Sequence, residues 1–373
     1  MPLALGNLFV GGVATVFLVL AGYLVIVKDP YGGEPYATAP VTRSKPADPA
    51  ASAAEPRVRE GAPPAQDSAL AMSEAEKATG VRVVRGTGDR SGGIVIQVPP
   101  SAVKLAPAPD KRLVDRSRHG VLPRIGADGA RPADVYARPA VALPPKTVGR
   151  IAIVVGGLGL SQGLTNDAIQ RLPGDVTLAF APYGADLERQ VSKARDDGHE
   201  VMLQVPMEPF DYPDNDPGPH TLTAANPGGD NTDRLLWVMS RFPGYVGVMN
   251  HMGAKFTSSE AALAPVLKEI ASRGLLLLDD GSSARSLMPA AASSLKLPFA
   301  KADAVLDLSP KSSSIDDQLA RLETIARERG VAVGAASALP VSIERIAAWA
   351  KGLEARGLAL VPLSAAIAKP GRP

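Results

Sequence analysis

The run Arg150-Ile-Ala-Ile-Val-Val-Gly156-Gly157-Leu-Gly159-Leu-Ser161 decides how the rest of the chain is read. Residues 151–155 are apolar and mostly β-branched. A short continuous run of that kind, bounded by glycine, reads as a strand buried on both faces. Gly156, Gly157 and Gly159 then imply a sharp turn. Residues 164–172 carry helical spacing, and Pro173-Gly174 stops the helix. Strand, turn and helix open an α/β unit, and such folds gather their functional groups where strands end. Here that place holds Gly156 and Gly157, which bring no side-chain chemistry.

Toward the C-terminus the pattern repeats. Strands are expected over 151–155, 176–181, 200–205, 245–249, 275–279, 304–308, 331–335 and 358–362. Helices are expected over 163–172, 185–197, 231–242, 259–273, 313–329 and 342–356. Gly198, Gly274, Gly330 and Gly357 each follow a helix and precede a strand, as helix-ending glycines do. The expected fold class is therefore α/β, a barrel of seven or eight β-α units over residues 149–369. A doubly wound open sheet has the same local grammar.

Toward the N-terminus the composition changes. Residues 8–27 are twenty positions without a charge, followed by Lys28-Asp29-Pro30. A helix of that length spans ~30 Å, the hydrocarbon thickness of a bilayer. A buried core helix and a cleaved signal peptide are the rivals. No Lys or Arg precedes the run, and it exceeds a usual signal-peptide core. The expectation is an uncleaved single-pass inner-membrane anchor with the C-terminal domain in the periplasm. Residues 28–109 are rich in Pro and Ala and read as a disordered linker, with one short strand candidate at 92–99. Residues 110–148 mix basic residues with Leu113, Val121, Leu122, Ile125, Val135 and Tyr136. That stretch reads either as more linker or as an extended arm packed on the barrel.

Composition removes several kinds of chemistry. The 373-residue chain has a net charge of +2, so nothing in its global charge points to nucleic acid. It has no cysteine, which excludes disulfides, zinc-thiolate centres and thiol nucleophiles together. Gly157-x-Gly159-x-x-x-Gly163 misses the dinucleotide fingerprint by one position, and neither a Walker loop nor a Ser-His-Asp signature is present.

The polar residues at the expected strand ends are Gln204, Glu208, Asn250, His251, Asp279 and Asp280, with Ser337 after the penultimate strand. Each has an ordinary structural alternative: a helix cap for Asp280, a buried hydrogen bond for Asn250. Their clustering at several strand ends marks them, with Gly156 and Gly157, as a pocket. His251, Asp279 and Asp280 are its catalytic candidates. His251, Asp279 and Glu208 are its metal-ligand candidates.

The domain resembles the divergent polysaccharide deacetylase family, a branch of the polysaccharide deacetylases with a NodB-like (β/α) barrel. The carriers are Ile151-Ala-Ile-Val-Val with Leu158-Gly159, Pro206-Met-Glu-Pro209 with Tyr212-Pro213, and Asp216-Pro-Gly-Pro219. They continue with Gly247-Val-Met-Asn-His-Met-Gly253, Phe256-Thr257, Arg273-Gly-Leu275, Leu278-Asp279 and Val361-Pro-Leu-Ser364. The resemblance covers about residues 149–368. It implies hydrolysis of an N-acetyl group by water held on zinc or another divalent metal. It also implies Asp-Asp directly after the first strand, where this chain has Gly156-Gly157, and often His where Gln204 stands. A Gly-His-Pro-like turn is replaced by Gly334-Ala-Ala-Ser337. Of the implied metal-site histidines only His251 remains.

These departures lead to the expectation of a deacetylase-like protein with a degenerate metal site, no cofactor, and a polysaccharide, peptidoglycan-like or protein partner. A working carbohydrate deacetylase with a rearranged site is one alternative. An envelope scaffold using the 110–138 arm is the other.

Overall fold

The described part of the computed structural model comprises residues 103, 105–139, 142–144, 146–225 and 229–367, with the backbone of two earlier strands. Those two, β1 (Arg82–Val84) and β2 (Val95–Gln97), pair antiparallel. The hairpin β3 (Val114–Ser117) and β4 (Gly120–Pro123) follows, then the short helix α1 (Pro132–Val135). Next come β5 (Gly149–Leu158), α2 (Gln162–Arg171), β6 (Thr177–Phe180), α3 (Leu187–Asp196) and β7 (Val201–Met207). They are followed by α4 (Gly229–Met239), β8 (Gly247–Met252), α5 (Glu260–Ser272), β9 (Leu276–Asp279) and α6 (Met288–Ser294). The chain closes with β10 (Phe299–Lys301), β11 (Ala304–Val305), α7 (Ser312–Arg329), β12 (Val331–Ser337), α8 (Pro340–Ala350), β13 (Leu358–Leu360) and α9 (Leu363–Ala366). Residues 8–27, expected to span the membrane, lie outside the described residues. Among the described residues no helix is long and apolar enough to cross a membrane.

The sheet is parallel throughout, in the order β10-β9-β8-β7-β6-β5-β12-β11. β13 pairs with the first residues of β5, below the part of β5 that pairs with β6. The end strands β10 and β11 are separated in sequence only by Ala302 and Asp303. The Ala302 N–H donates to the Asp279 carbonyl on β9 (2.9 Å), and the Asp303 N–H donates to the Val333 carbonyl on β12 (2.7 Å). One stretch of chain thus touches both ends of the sheet, which is curled accordingly. Of the strand expected over 304–308 only β11 forms, and β10 lies before it. The change of partner leaves only two residues, Ala304–Val305, in register with β12.

Alternation along the strands builds two cores. Ile151, Ile153, Val155, Leu178, Phe180, Leu203, Val205, Val248 and Leu277 pack outward under the helices. Ala152, Val154, Ala179, Met202, Met249, Leu276, Leu278, Val333 and Ala335 form the inner cluster. Alanines recur on the inside because a tightly curled sheet leaves little room for larger side chains. Gly330 and Gly357 end helical segments with φ of +80° and +74°, backbone angles that favour glycine.

The end of the sheet opposite the strand C-termini is covered by residues 105–139. Leu113, Ala133 and Tyr136 join the inner cluster. Arg195 on α3 is buried and holds three carbonyls: Tyr136 (3.2 Å), Gly244 (2.8 Å) and Ala106 (2.6 Å). Arg138 reaches Asp175 (2.9 Å) and the Gly198 carbonyl (2.7 Å). Glu200 is fully buried and accepts from the backbone N–H groups of Arg138 (3.2 Å) and Ser364 (3.0 Å). With this end covered, the strand C-termini form the accessible end.

Candidate functional site

The first strand does not stop at Val155. β5 continues to Leu158, and its pairing with β6 jumps from Val155↔Leu178 to Leu158↔Phe180. Three steps on one strand thus match two on the other, which is a one-residue bulge. Gly157, with φ of +79°, takes the bulged conformation. The expected sharp turn is therefore a bulge inside the strand.

Across this bulge lies the side chain of Gln204 from β7. A Cβ on Gly156 would stand 2.6 Å from Gln204 Nε2 and 3.1 Å from its Cδ, closer than side chains tolerate. Gln204 Oε1 accepts the Gly157 N–H at 2.7 Å. Gly156 therefore does not open free space for a ligand, whereas a Cβ on Gly157 would meet nothing within 4 Å. Gly156 makes room for the Gln204 amide, and the Gly157 N–H is already satisfied. Gln204 is 5% exposed.

Strand alternation divides the other candidates. Gln204, His251 and Asp280 stand two residues beyond Met202, Met249 and Leu278 of the inner cluster, and Ser337 stands two beyond Ala335. This set faces the interior at the accessible end. Asn250 and Asp279 instead follow Val248 and Leu277 of the outer layer. Asn250 is a buried tie: its Oδ1 accepts the Asp280 N–H (2.8 Å), and its Nδ2 donates to the Met252 carbonyl (2.7 Å). It thereby steadies Met252, whose φ of +58° is strained for a side-chain-bearing residue. No feature of the sequence signals that strain.

The acids are largely committed. Glu208 is buried, with Oε1 on Lys255 Nζ (2.7 Å) and Oε2 accepting the Ala224 N–H (2.6 Å), so it fastens two loops. Asp279 Oδ1 accepts the Gly281 N–H (2.9 Å), while its buried Oδ2 has no partner among the described residues. Asp280 Oδ1 accepts from the Ser282 N–H (2.9 Å) and hydroxyl (2.7 Å). Burial raises the Asp280 carboxyl above its ordinary range. Burial likewise lowers His251 below its ordinary value, against the opposing pull of Asp280. Ser337 is held through its N–H by Asp307 Oδ2 (2.7 Å), which also accepts the Ser342 hydroxyl (2.7 Å). Asp307 thus ties the end of β12 to the following helix, a contact that spacing alone does not reveal.

A divalent metal of the kind the resemblance implies needs about three N or O ligands on one centre. The first strand offers none, Gln204 places an amide beside it, and Glu208 is paired with Lys255. Asp279 faces the outer layer, away from His251. Among the described residues no group of three or more His, Cys, Asp or Glu side chains is arranged to hold a metal ion. The residues present do not fit the implied metal.

A curled parallel sheet with functional loops at its strand C-termini, a Pro-Met-Glu-Pro turn and an Asn-His-Met-Gly turn define a deacetylase-like α/β protein. The sequence matches the divergent polysaccharide deacetylase family over residues 153–367, more than half of the chain, and the chain belongs to that family. Among relatives, it is 26% identical over 193 residues to YibQ of Escherichia coli (strain K12), itself uncharacterized. That match covers 51% of this chain and 59% of YibQ, so the chain spans less than two thirds of this relative. The crystal structure of an uncharacterized protein, ATU2773 of Agrobacterium tumefaciens C58, is similar at 47% identity and a TM-score of 0.64. The likeness covers 66% of this chain and 99% of that one.

Proposed function

We propose that this protein is an inner-membrane-anchored, periplasm-facing member of its family that binds a polysaccharide or peptidoglycan-like ligand without hydrolysing it at a metal. The observation that carries this reading is the Gln204 amide lying over Gly156 and bonded to Gly157, at the strand end where the family pattern has two aspartates. Loss of a group that polarises or stabilises charge costs several kcal/mol of transition-state stabilisation, and each ~1.4 kcal/mol is tenfold in rate. Two such losses bring hydrolysis close to background.

What remains is a set of hydrogen-bonding groups. Gln204 Nε2 supplies donors, Ser337 a hydroxyl, and a neutral imidazole at His251 offers one donor and one acceptor. Such a set suits the hydroxyls and amides of a neutral sugar better than a cation. The anchor rests on the uncharged run at 8–27. The test is metal content and chitooligosaccharide deacetylation by the purified chain, beside His251→Ala. Substoichiometric metal and background turnover in both are expected. Stoichiometric zinc with turnover that disappears in His251→Ala would overturn the reading in favour of an active deacetylase.

A further inference from the structure

A groove of about 480 Å³ runs between α5 and α6, on the flank of the barrel and separate from the strand-end site. Small side chains, Ala264, Ala290 and Ala291 among them, line it beside the buried Leu263. Leu287 and Leu295, at either end of α6, are each 38% exposed although both are large and apolar. Along α5 the groove is bounded by Glu260 and Lys268, two turns apart on one helix face, or about 12 Å. Neither charge has an ion pair or a side-chain hydrogen bond among the described residues.

The two helices follow neighbouring strands of a parallel sheet and run in the same direction. The Leu287 N–H donates to the Thr257 carbonyl (2.9 Å), which sets the start of α6 beside the start of α5. Each end of the groove therefore carries one exposed leucine and one unpaired charge: Leu287 with Glu260 at the N-terminal end, Leu295 with Lys268 at the other. A lining of small residues between apolar anchors suits a helix laid in the groove.

We propose that this groove docks an amphipathic helix of a partner protein, running antiparallel to α5 and α6. The charges choose both occupant and direction. A helix prefers acids in its first turn and bases in its last. Laid antiparallel, such a helix sets its N-terminal acid against Lys268 and its C-terminal base against Glu260. Its own dipole then opposes those of α5 and α6, which is favourable. A helix laid parallel meets like charges at both ends. The inference does not depend on the ligand bound at the strand ends.

The test uses the purified full chain and two fluorescent fifteen-residue helical peptides, each with a leucine stripe at every fourth position. One carries Glu near its N-terminus and Lys eight residues later; the other has these two exchanged. The first is expected to bind saturably and at least about tenfold tighter than the second. Leu287→Ser and Leu295→Ser should each weaken it about tenfold, the change given by one buried leucine. Glu260→Lys with Lys268→Glu should reverse the preference between the peptides, a result that general loss of folding cannot produce. Equal binding of the two peptides, or indifference to the groove substitutions, overturns the proposal. A dimer in light scattering that Leu287→Ser dissociates overturns it in favour of a second copy. Binding to phosphatidylglycerol vesicles that Leu287→Ser abolishes overturns it in favour of lipid.

Discussion

Replacing Gly156 with alanine tests whether the first strand end and Gln204 form one interlocked unit. The added Cβ would come within 2.6 Å of Gln204 Nε2, the tip of a flexible side chain, so the amide swings away and the backbone stays. Its bond to the Gly157 N–H, 2.7 Å in the native arrangement, is lost at a cost of about 1 kcal/mol. Repacking a filled interior adds about 1–3 kcal/mol, and replacing glycine returns about 0.4–1 kcal/mol through the unfolded chain. The expected net loss is about 1–3.5 kcal/mol. Gln204→Ala forfeits the same hydrogen bond and one buried methylene, about 2 kcal/mol in all. In that background the Gly156→Ala methyl meets no amide, and the substitution should stabilise by about 0.5 kcal/mol. The double-mutant cycle therefore carries a coupling of about 1.5–4 kcal/mol, readable by urea denaturation monitored by circular dichroism. Gly157→Ala is the contrast. A Cβ there has open space but sits at φ of +79°, so about 1 kcal/mol is lost through the backbone alone. Additivity of Gly156→Ala and Gln204→Ala to within about 0.5 kcal/mol would refute the interlock.

Three further outcomes are expected. The His251 proton resonances should titrate below the ordinary 6.5, and Asp280→Asn should lower that titration further by removing the opposing carboxylate. Because the folded value is depressed, the associated stability is fully present above about pH 6.5 and lost as pH falls through the folded value; a titration above 6.5 contradicts the assigned burial. Arg195→Met strands three carbonyls and should destabilise by about 2–4 kcal/mol while speeding proteolysis within 105–139, and an unchanged digestion pattern would show that the arm is held elsewhere. Reporter enzymes fused after residue 373 should be active only outside the cytoplasm, and activity only inside would reverse the proposed orientation.

The sequence by itself determined the α/β order and the family. Strands buried on both faces read as continuous apolar runs, and a glycine can end a helix in a left-handed turn. Residues 151–155, 245–249 and 331–335 and glycines 198, 274, 330 and 357 therefore announced themselves through local chemistry alone. The missing aspartates were legible for the same reason, since an absent side chain needs no fold to be noticed. The tertiary structure alone decided what fills the gap, because Gln204 meets Gly156 only through the pairing of distant strands. Side-chain direction was equally hidden. His251 and Asp280 turn inward while Asn250 and Asp279, each one residue earlier, turn outward, and a strand end one residue longer would exchange their roles. A strand at 304–308 was legible, but its shortening to Ala304–Val305 and the separate strand Phe299–Lys301 were not, because both pairings are long-range. Residues 105–139 offered only scattered apolar side chains, and their place was fixed by carbonyls presented to an arginine about sixty to ninety positions away.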